Sequence, residues 1–356
     1  MEIIAGDIGG TKSWLAWAQM AGSKVEVRFE HVYASADFPS AEALMQQFLN
    51  DASQPGKPDA VCLALPGSVQ SGQPIRLTNL DWVLEHASLQ GLLETPRLLF
   101  INDFQAAAEG VVTLTPDDYV VLNEGVTPHP NPSPSRGEGL RDSFLAPPLP
   151  LRERGPGGEG AIRVITGAGT GLGLAWMQAD HAGRYHTFPT EGGHTDFSPA
   201  NAQQERLLAF MRQRFSHVSW ERVLSGPGVN QVYQFCLLDM TGEIPVELRE
   251  RNGAVVNSAA QAGDPVALAA MQLFTDLYAN WVGNLALLYQ PRGGLYLGGG
   301  ISARIQPWLQ TQGFLDACFD KGRMSELVRQ MPIYLITNTR LGLQGALEAA
   351  LHHTKD

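Results

Sequence analysis

Two stretches of this chain share one pattern. Residues 2–19, "EIIAGDIGGTKSWLAWAQ", read as an apolar strand, a turn at Gly9–Gly10 and a returning strand, Ser13–Gln19, with alternating side chains. Residues 161–178, "AIRVITGAGTGLGLAWMQ", repeat strand, glycine turn and strand. A lone hairpin is at best marginally stable in water. Its recurrence in both halves therefore predicts a duplicated architecture, each hairpin extended into a sheet and covered.

The sequence between and after the hairpins supplies the other parts. Val25–Ala34 adds a third strand to the first hairpin. Ala60–Leu65 ("AVCLAL"), stopped by Pro66–Gly67, and Leu98–Ile101 are continuous apolar runs, as strands buried on both faces require. "SAEALMQQFLND" has helical spacing, with Ser40 as its cap. Helical stretches then cover Asn201–Phe215, Gly228–Met240 and Pro265–Tyr289, and "GGLYLGGGIS" is a further apolar strand running through glycines into a helix. The expected fold class is α/β, mixed sheets flanked by helices. At 356 residues the chain is long enough for two domains with cores of their own.

Composition narrows the partners. A net charge of −11 with no run of Lys or Arg disfavours nucleic acid and anionic membrane surfaces, so a small-molecule partner is expected. Cys62, Cys236 and Cys318 lie far apart in apolar contexts without any Cys-x-x-Cys, which speaks for buried thiols rather than a zinc ribbon or disulfides. The absence of a signal-peptide pattern and of a long apolar window leads to a cytoplasmic expectation.

Three glycine turns could cradle an anion: "GDIGGTK" at 6–12, "GAGTGLG" at 167–173 and "GGGIS" at 298–302. Each is equally readable as a tight turn. A P-loop is excluded, because no Gly-Lys-Ser/Thr occurs. The glycines at 167, 169, 171 and 173 miss the dinucleotide spacing, and a strand rather than a helix follows. What remains is a carboxylate, Asp7, suited to a hydrated Mg²⁺, beside Gly9, Gly10 and Thr11 donors suited to phosphate oxygens. With a second loop around Thr170, two hairpins gripping a triphosphate describe phosphoryl transfer without a P-loop. A third feature is "RLLFINDFQAAAEG" at 97–110, where a buried strand ends in Asn102–Asp103 before an Ala-rich helix. Asp103 reads as the helix cap, as a catalytic base, or as both.

Taken in order, "GDIGGT", "FINDFQA", "GAGTGLG", "EGGHTDF" and "ERVLSGPG" resemble bacterial glucokinases, within the hexokinase and actin-like ATPase superfamily. The likeness runs on through "YLGGGI" to "LGLQGALEA" and covers nearly the whole chain outside residues 124–160. The resemblance implies a two-lobed actin-like ATPase (ribonuclease H-like) fold with a cleft between the lobes, the small lobe from 1–112 plus 339–356 and the large lobe from 113–338. It implies an ATP-dependent glucokinase of carbohydrate phosphorylation, moving the γ-phosphoryl of ATP to the 6-hydroxyl of glucose at the entry to glycolysis. Mg²⁺ would be held through ATP and water with no direct protein ligand and Asp7 close by, and the assembly would be a homodimer. Asp103 would accept the hydroxyl proton, and Asn102, Glu191, His194 and Glu221 would bind sugar hydroxyls. Gly6, Asp7, Ile8, Gly9, Gly10 and Thr11, with Gly167, Gly169, Thr170 and Gly171, would take phosphates, and Gly299 would lie near the adenosine. Lys12 departs from the family pattern, which often has Asn there.

Two other readings stay open on sequence. One is a hexokinase-type kinase for mannose, fructose or an amino sugar. The other is a sugar sensor without catalysis, although such a chain would be expected to have lost Asp103. A metal cluster at Glu191–His194–Asp196 is a further alternative, but the zinc-bearing relatives carry a Cys-rich segment downstream that is missing here.

Residues 124–160, "EGVTPHPNPSPSRGEGLRDSFLAPPLPLRERGPGGEG", interrupt the pattern with Pro, Gly, Ser and Arg and no periodicity. They read as a disordered inserted loop. Deleting residues 126–158 is expected to leave kcat within a few-fold of the full chain. A collapse of steady-state turnover would show the segment to be structural.

Overall fold

The computed structural model describes residues 1–21, 24–54, 56–67, 69, 73–77, 80–125, 161–181 and 183–352. Apart from Glu124 and Gly125, the expected inserted loop lies outside these residues. The chain divides into two compact units, Met1–Leu114 with Asn338–Asp356, and Thr115–Thr337.

In the first unit β1 (Glu2–Ile8), β2 (Lys12–Ala21) and β3 (Lys24–Ala34) form an antiparallel meander. β4 (Ala60–Leu65) joins β1 in parallel. After a short ribbon, β5 (Ile75–Arg76) with β6 (Val83–Leu84), β7 (Leu98–Asn102) joins β4 in parallel, giving the order β3-β2-β1-β4-β7. The second unit repeats the scheme. β9 (Arg163–Ala168), β10 (Leu172–Ala179) and β11 (Tyr185–Thr190) form the meander. β12 (Leu295–Gly298) and β13 (Ile333–Ile336) continue it in parallel. β8 (Tyr119–Asn123) closes the edge antiparallel to β13, giving β11-β10-β9-β12-β13-β8.

The alternation within the first sheet sorts side chains by size. Ile4, Ile8, Leu15, Trp17, Val61, Leu63 and Leu65 point into one core, with Leu44, Met45 and Phe48 of the helix Ala41–Ala52. That helix is capped by the Ser40 hydroxyl, which accepts the Ala43 N–H. On the opposite face, Ala5, Ala16, Ala18, Ala60, Cys62 and Ala64 are small. A face of alanines lets a helix backbone lie close, and the helix Leu341–His352 lies there. It also packs on the helix Asp103–Val111 through glycines: Gly345 against the Ala106 carbonyl, Gly110 against the Leu341 carbonyl.

The second unit is built around the 25-residue helix Pro265–Tyr289, capped by Asp264 and buried on most sides through Met271, Phe274, Tyr278 and Leu285. Trp281 belongs to this core, its indole N–H donating to Thr166 Oγ1 at 3.0 Å. Cys62, Cys236 and Cys318 are buried, and burial pushes all three thiols up. Among the described residues no helix is long and apolar enough to cross a membrane.

The helix crossing gives a sharp test. A Cβ at position 345 would meet backbone with no side chain able to yield. Gly345→Ala is expected to cost about 3 kcal/mol of stability, read as a lower urea midpoint.

Candidate active site

In the first unit the loop between β1 and β2 is braced from beneath. The Ser35 hydroxyl donates to the Gly9 carbonyl at 2.6 Å, and the Ser35 N–H donates to the Thr11 carbonyl at 3.1 Å. The buried Ser13 hydroxyl meets Ser35 Oγ at 2.9 Å. These bonds pin the loop's carbonyls. The Gly9 N–H closes the turn on the Lys12 carbonyl at 3.0 Å, so it is already used where a phosphate donor was expected. Gly6 and Ile8 also differ from expectation: both are buried within β1, and a Cβ on Gly6 would strike Leu15 and Leu63. They shape the strand, and Gly10 and Thr11 form the accessible part of the loop.

Asp7, at the end of β1, faces the start of the helix Leu341–His352. A Cβ on Gly342 would come within 2.5 Å of Asp7 Oδ2, so only glycine leaves room for the carboxylate. Lys12 lies over the Trp14 ring at 5.6 Å, and Arg340 lies over the same ring at 5.9 Å while pairing with Glu30.

At the end of β7 the cap belongs to Asn102, not Asp103. Asn102 Oδ1 accepts the N–H groups of Phe104 at 2.9 Å and Gln105 at 3.1 Å, and its amide donates to the Gly67 carbonyl at 2.9 Å. Asn102 has extended backbone and begins the helix, whereas Asp103 is its first helical residue and accepts the neighbouring Phe104 N–H at 2.8 Å. Asp103 thus sits on the first helical turn, where aligned peptide dipoles favour an anion.

In the second unit, "EGGHTDF" and "ERVLSGPG" are joined by backbone. The Phe197 N–H donates to the Val218 carbonyl, the Trp220 N–H to the Thr195 carbonyl, and Gly193 rests against the Leu172 carbonyl. This joins three side chains. His194 Nδ1 is 3.9 Å from Glu221 Oε1, and His194 Nε2 is 3.9 Å from Glu191 Oε2. Glu221 Oε2 accepts the Leu172 N–H at 2.9 Å and lies where a Gly171 Cβ would be. The same segment holds the loop after β9, since the Gly226 N–H donates to the Gly169 carbonyl at 2.8 Å. Gly169 and exposed Thr170 stand open in that loop, while Gly167 is buried against the Gly298 carbonyl. Gly299 follows with φ +85°, in the left-handed region that glycine tolerates. Asp196 turns away to accept from His217 Nε2 at 2.8 Å, and no metal cluster of His, Cys, Asp or Glu occurs among the described residues.

Comparison with known proteins shows the family to which a chain with these two sets of residues belongs. The glucokinase family profile matches residues 4–139 and 150–353. The chain belongs to the glucokinase family. The glucokinase of Nostoc sp. is 34% identical, with 97% of each chain covered. A glucokinase crystal structure from an Antarctic psychrotroph superposes with a TM-score of 0.77 at 27% identity over 99% of each chain. The Balamuthia mandrillaris glucokinase, solved with glucose, shares the fold with a TM-score of 0.75 at 21% identity, over 98% of this chain and 93% of that one. The reaction is ATP-dependent phosphorylation of glucose.

Three supports of this glucokinase site went unread in the sequence. Ser13 and Ser35 are 22 residues apart and carry no motif. Gly342 lies within "LGLQGALEA", but its contact with Asp7 spans almost the whole chain. Burial raises the Asp7 carboxyl above its ordinary 3.8, and Lys12 draws it part of the way back. The folded chain therefore holds that proton more tightly than the unfolded chain does. The resulting stability is present below pH 3.8 and is lost as pH rises through the folded value. Asp7→Asn is expected to raise the urea midpoint of the ligand-free enzyme at neutral pH, by a margin that narrows as the pH is lowered toward 3.8.

Proposed function

We propose that Asp103 accepts the proton of the 6-hydroxyl of glucose as that oxygen takes the γ-phosphoryl of ATP, giving glucose 6-phosphate and ADP. The observation that carries the reading is topological. Asp7 and Asn102–Asp103 leave the same edge of one sheet, at the carboxyl ends of β1 and β7, with β4 between them. Two strand spacings put those ends about 10 Å apart, and the carboxyl edge of parallel strands is where ligands of open α/β sheets collect.

A carboxylate is far too weak a base to strip an alcohol in advance. The loose, metaphosphate-like transition state asks for little deprotonation until late, so Asp103 chiefly orients the hydroxyl and takes its proton as the new bond forms. Asn102, fixed by its cap and by Gly67, presents its remaining amide hydrogen to a sugar hydroxyl. In the second unit Glu191, His194 and Glu221 offer two carboxylates and an imidazole to hydroxyls. Such a site rejects a sugar lacking one hydroxyl far more strongly than an apolar pocket rejects a methylene.

The donor set suits Mg²⁺ held mainly through phosphates and water, because Asp7 is a deep-set carboxylate and belongs to no cluster of three or more metal-ligating side chains among the described residues. Mg²⁺ bound there would neutralise charge on the β- and γ-phosphates. Gly10 and Thr11 in one unit, and Thr170 and Gly171 in the other, are the backbone donors proposed for phosphates, while the Gly169 N–H closes its own turn on the Gly171 carbonyl at 2.8 Å.

Asp103→Asn is expected to lower kcat on glucose by about 10²- to 10⁴-fold, with folding and glucose affinity retained. The measurement is ATP- and Mg²⁺-dependent turnover of both proteins on glucose, mannose, fructose and N-acetylglucosamine. An unchanged kcat would remove Asp103 from the chemistry, and wild-type preference for another sugar would move the substrate.

A further inference from the structure

His194 and Glu221 also line one side of a polar cavity of about 270 Å³ whose other wall the reaction above leaves unused. Arg214, Arg222 and His217 form much of its wall, with Ser216 and Ser219. Elsewhere in this unit Arg206 is held by Asp239 through bonds of 3.2 and 3.0 Å. Among the described residues neither Arg214 nor Arg222 forms an ion pair. Ring faces hold them instead, Arg214 over Phe210 at 4.0 Å and Arg222 over Phe215 at 4.3 Å. Stacking fixes the guanidinium plane while its edge donors stay usable. One donor of Arg214 goes to Gln231 at 2.8 Å. Burial, and then the like charge of Arg249, lowers Arg214's hold on its proton, and the carboxylate in the same wall, Glu221, is already engaged by the Leu172 N–H.

We propose that this cavity is a phosphate-binding subsite abutting the sugar-binding residues. The phosphate would lie on Arg214 and Arg222, whose forked donors match its oxygens. The ligand is inorganic phosphate or a hexose phosphate whose sugar hydroxyls reach His194 and Glu221. The enzyme's own product is of the second kind, so occupancy would oppose binding of the next glucose. This link to inhibition rests on the sugar-binding role proposed for His194 and Glu221.

The test titrates the full chain calorimetrically with inorganic phosphate and with glucose 6-phosphate, and compares Arg214→Gln/Arg222→Gln and the double Lys replacement. Wild type should bind both ligands. The Gln pair should weaken both by about tenfold or more, and the Lys pair should restore part of that loss. Turnover without added phosphate should stay unchanged. Tighter binding of glucose 6-phosphate identifies the sugar phosphate as occupant, and equal binding identifies free phosphate. No binding in wild type, binding unaffected by the Gln pair, or an equal effect of chloride overturns the subsite. Phosphate binding that depends on the arginines but leaves the KM for glucose unmoved keeps the subsite and overturns the sugar role of His194 and Glu221.

Discussion

The alanine-rich face of the first sheet is the constraint on which the surroundings of Asp7 and Asp103 depend. Ala5, Ala16, Ala18, Ala60 and Ala64, with Ile3 and Ile101 the large residues among them, leave little bulk between the sheet and the helix Leu341–His352. The helix settles near enough for Gly342 to cover Asp7 and for Gly345 to meet the helix that begins at Asp103. A larger residue on any of these strands would lift the helix and alter both carboxylate environments together. Close packing transmits such changes, because an interior at crystal-like density has no slack to absorb a methylene.

The second unit ties its parts together through one side chain. Glu221 gives one oxygen to the Leu172 N–H, at the foot of the glycine loop, and turns the other toward His194. Gly226, five residues on, anchors the carbonyl of Gly169 in that same loop. "ERVLSGPG" therefore serves the glycine loop as well as the polar cluster, and a substitution at Glu221 disturbs both.

Much of this was legible in the sequence, for identifiable reasons. The paired strand–glycine–strand stretches named both hairpins, since alternation and glycine turns are local signals, whereas the third strand of the second meander, Tyr185–Thr190, went unread. "AVCLAL" declared a strand buried on both faces, although its division into a large-residue face and a small-residue face needed the sheet to become visible. The residues of the polar cluster were readable because they fall in compact motifs. The cap at Asn102 was misplaced by one residue, because Asn and Asp cap equally well and only backbone geometry separates them. Gly6, Ile8 and Gly167 look like loop residues in a motif yet lie inside strands. Ser13, Ser35 and Gly342 act across tens to hundreds of residues, and a single sequence carries no signal for such pairs.

The strand order also explains where the longest unpatterned stretch falls. β8 ends at Asn123 level with Ile333, and β9 begins at Arg163 beside Leu295, so both ends sit on the edge opposite the glycine loops. Three strand spacings, about 14 Å, separate them, a gap that a handful of residues would span. Bridging the gap requires no more than that handful, and each doubling of such a connection costs only about 0.6 kcal/mol in closure entropy. The junction lies at the edge of the second sheet away from the loop that carries Gly169 and Thr170.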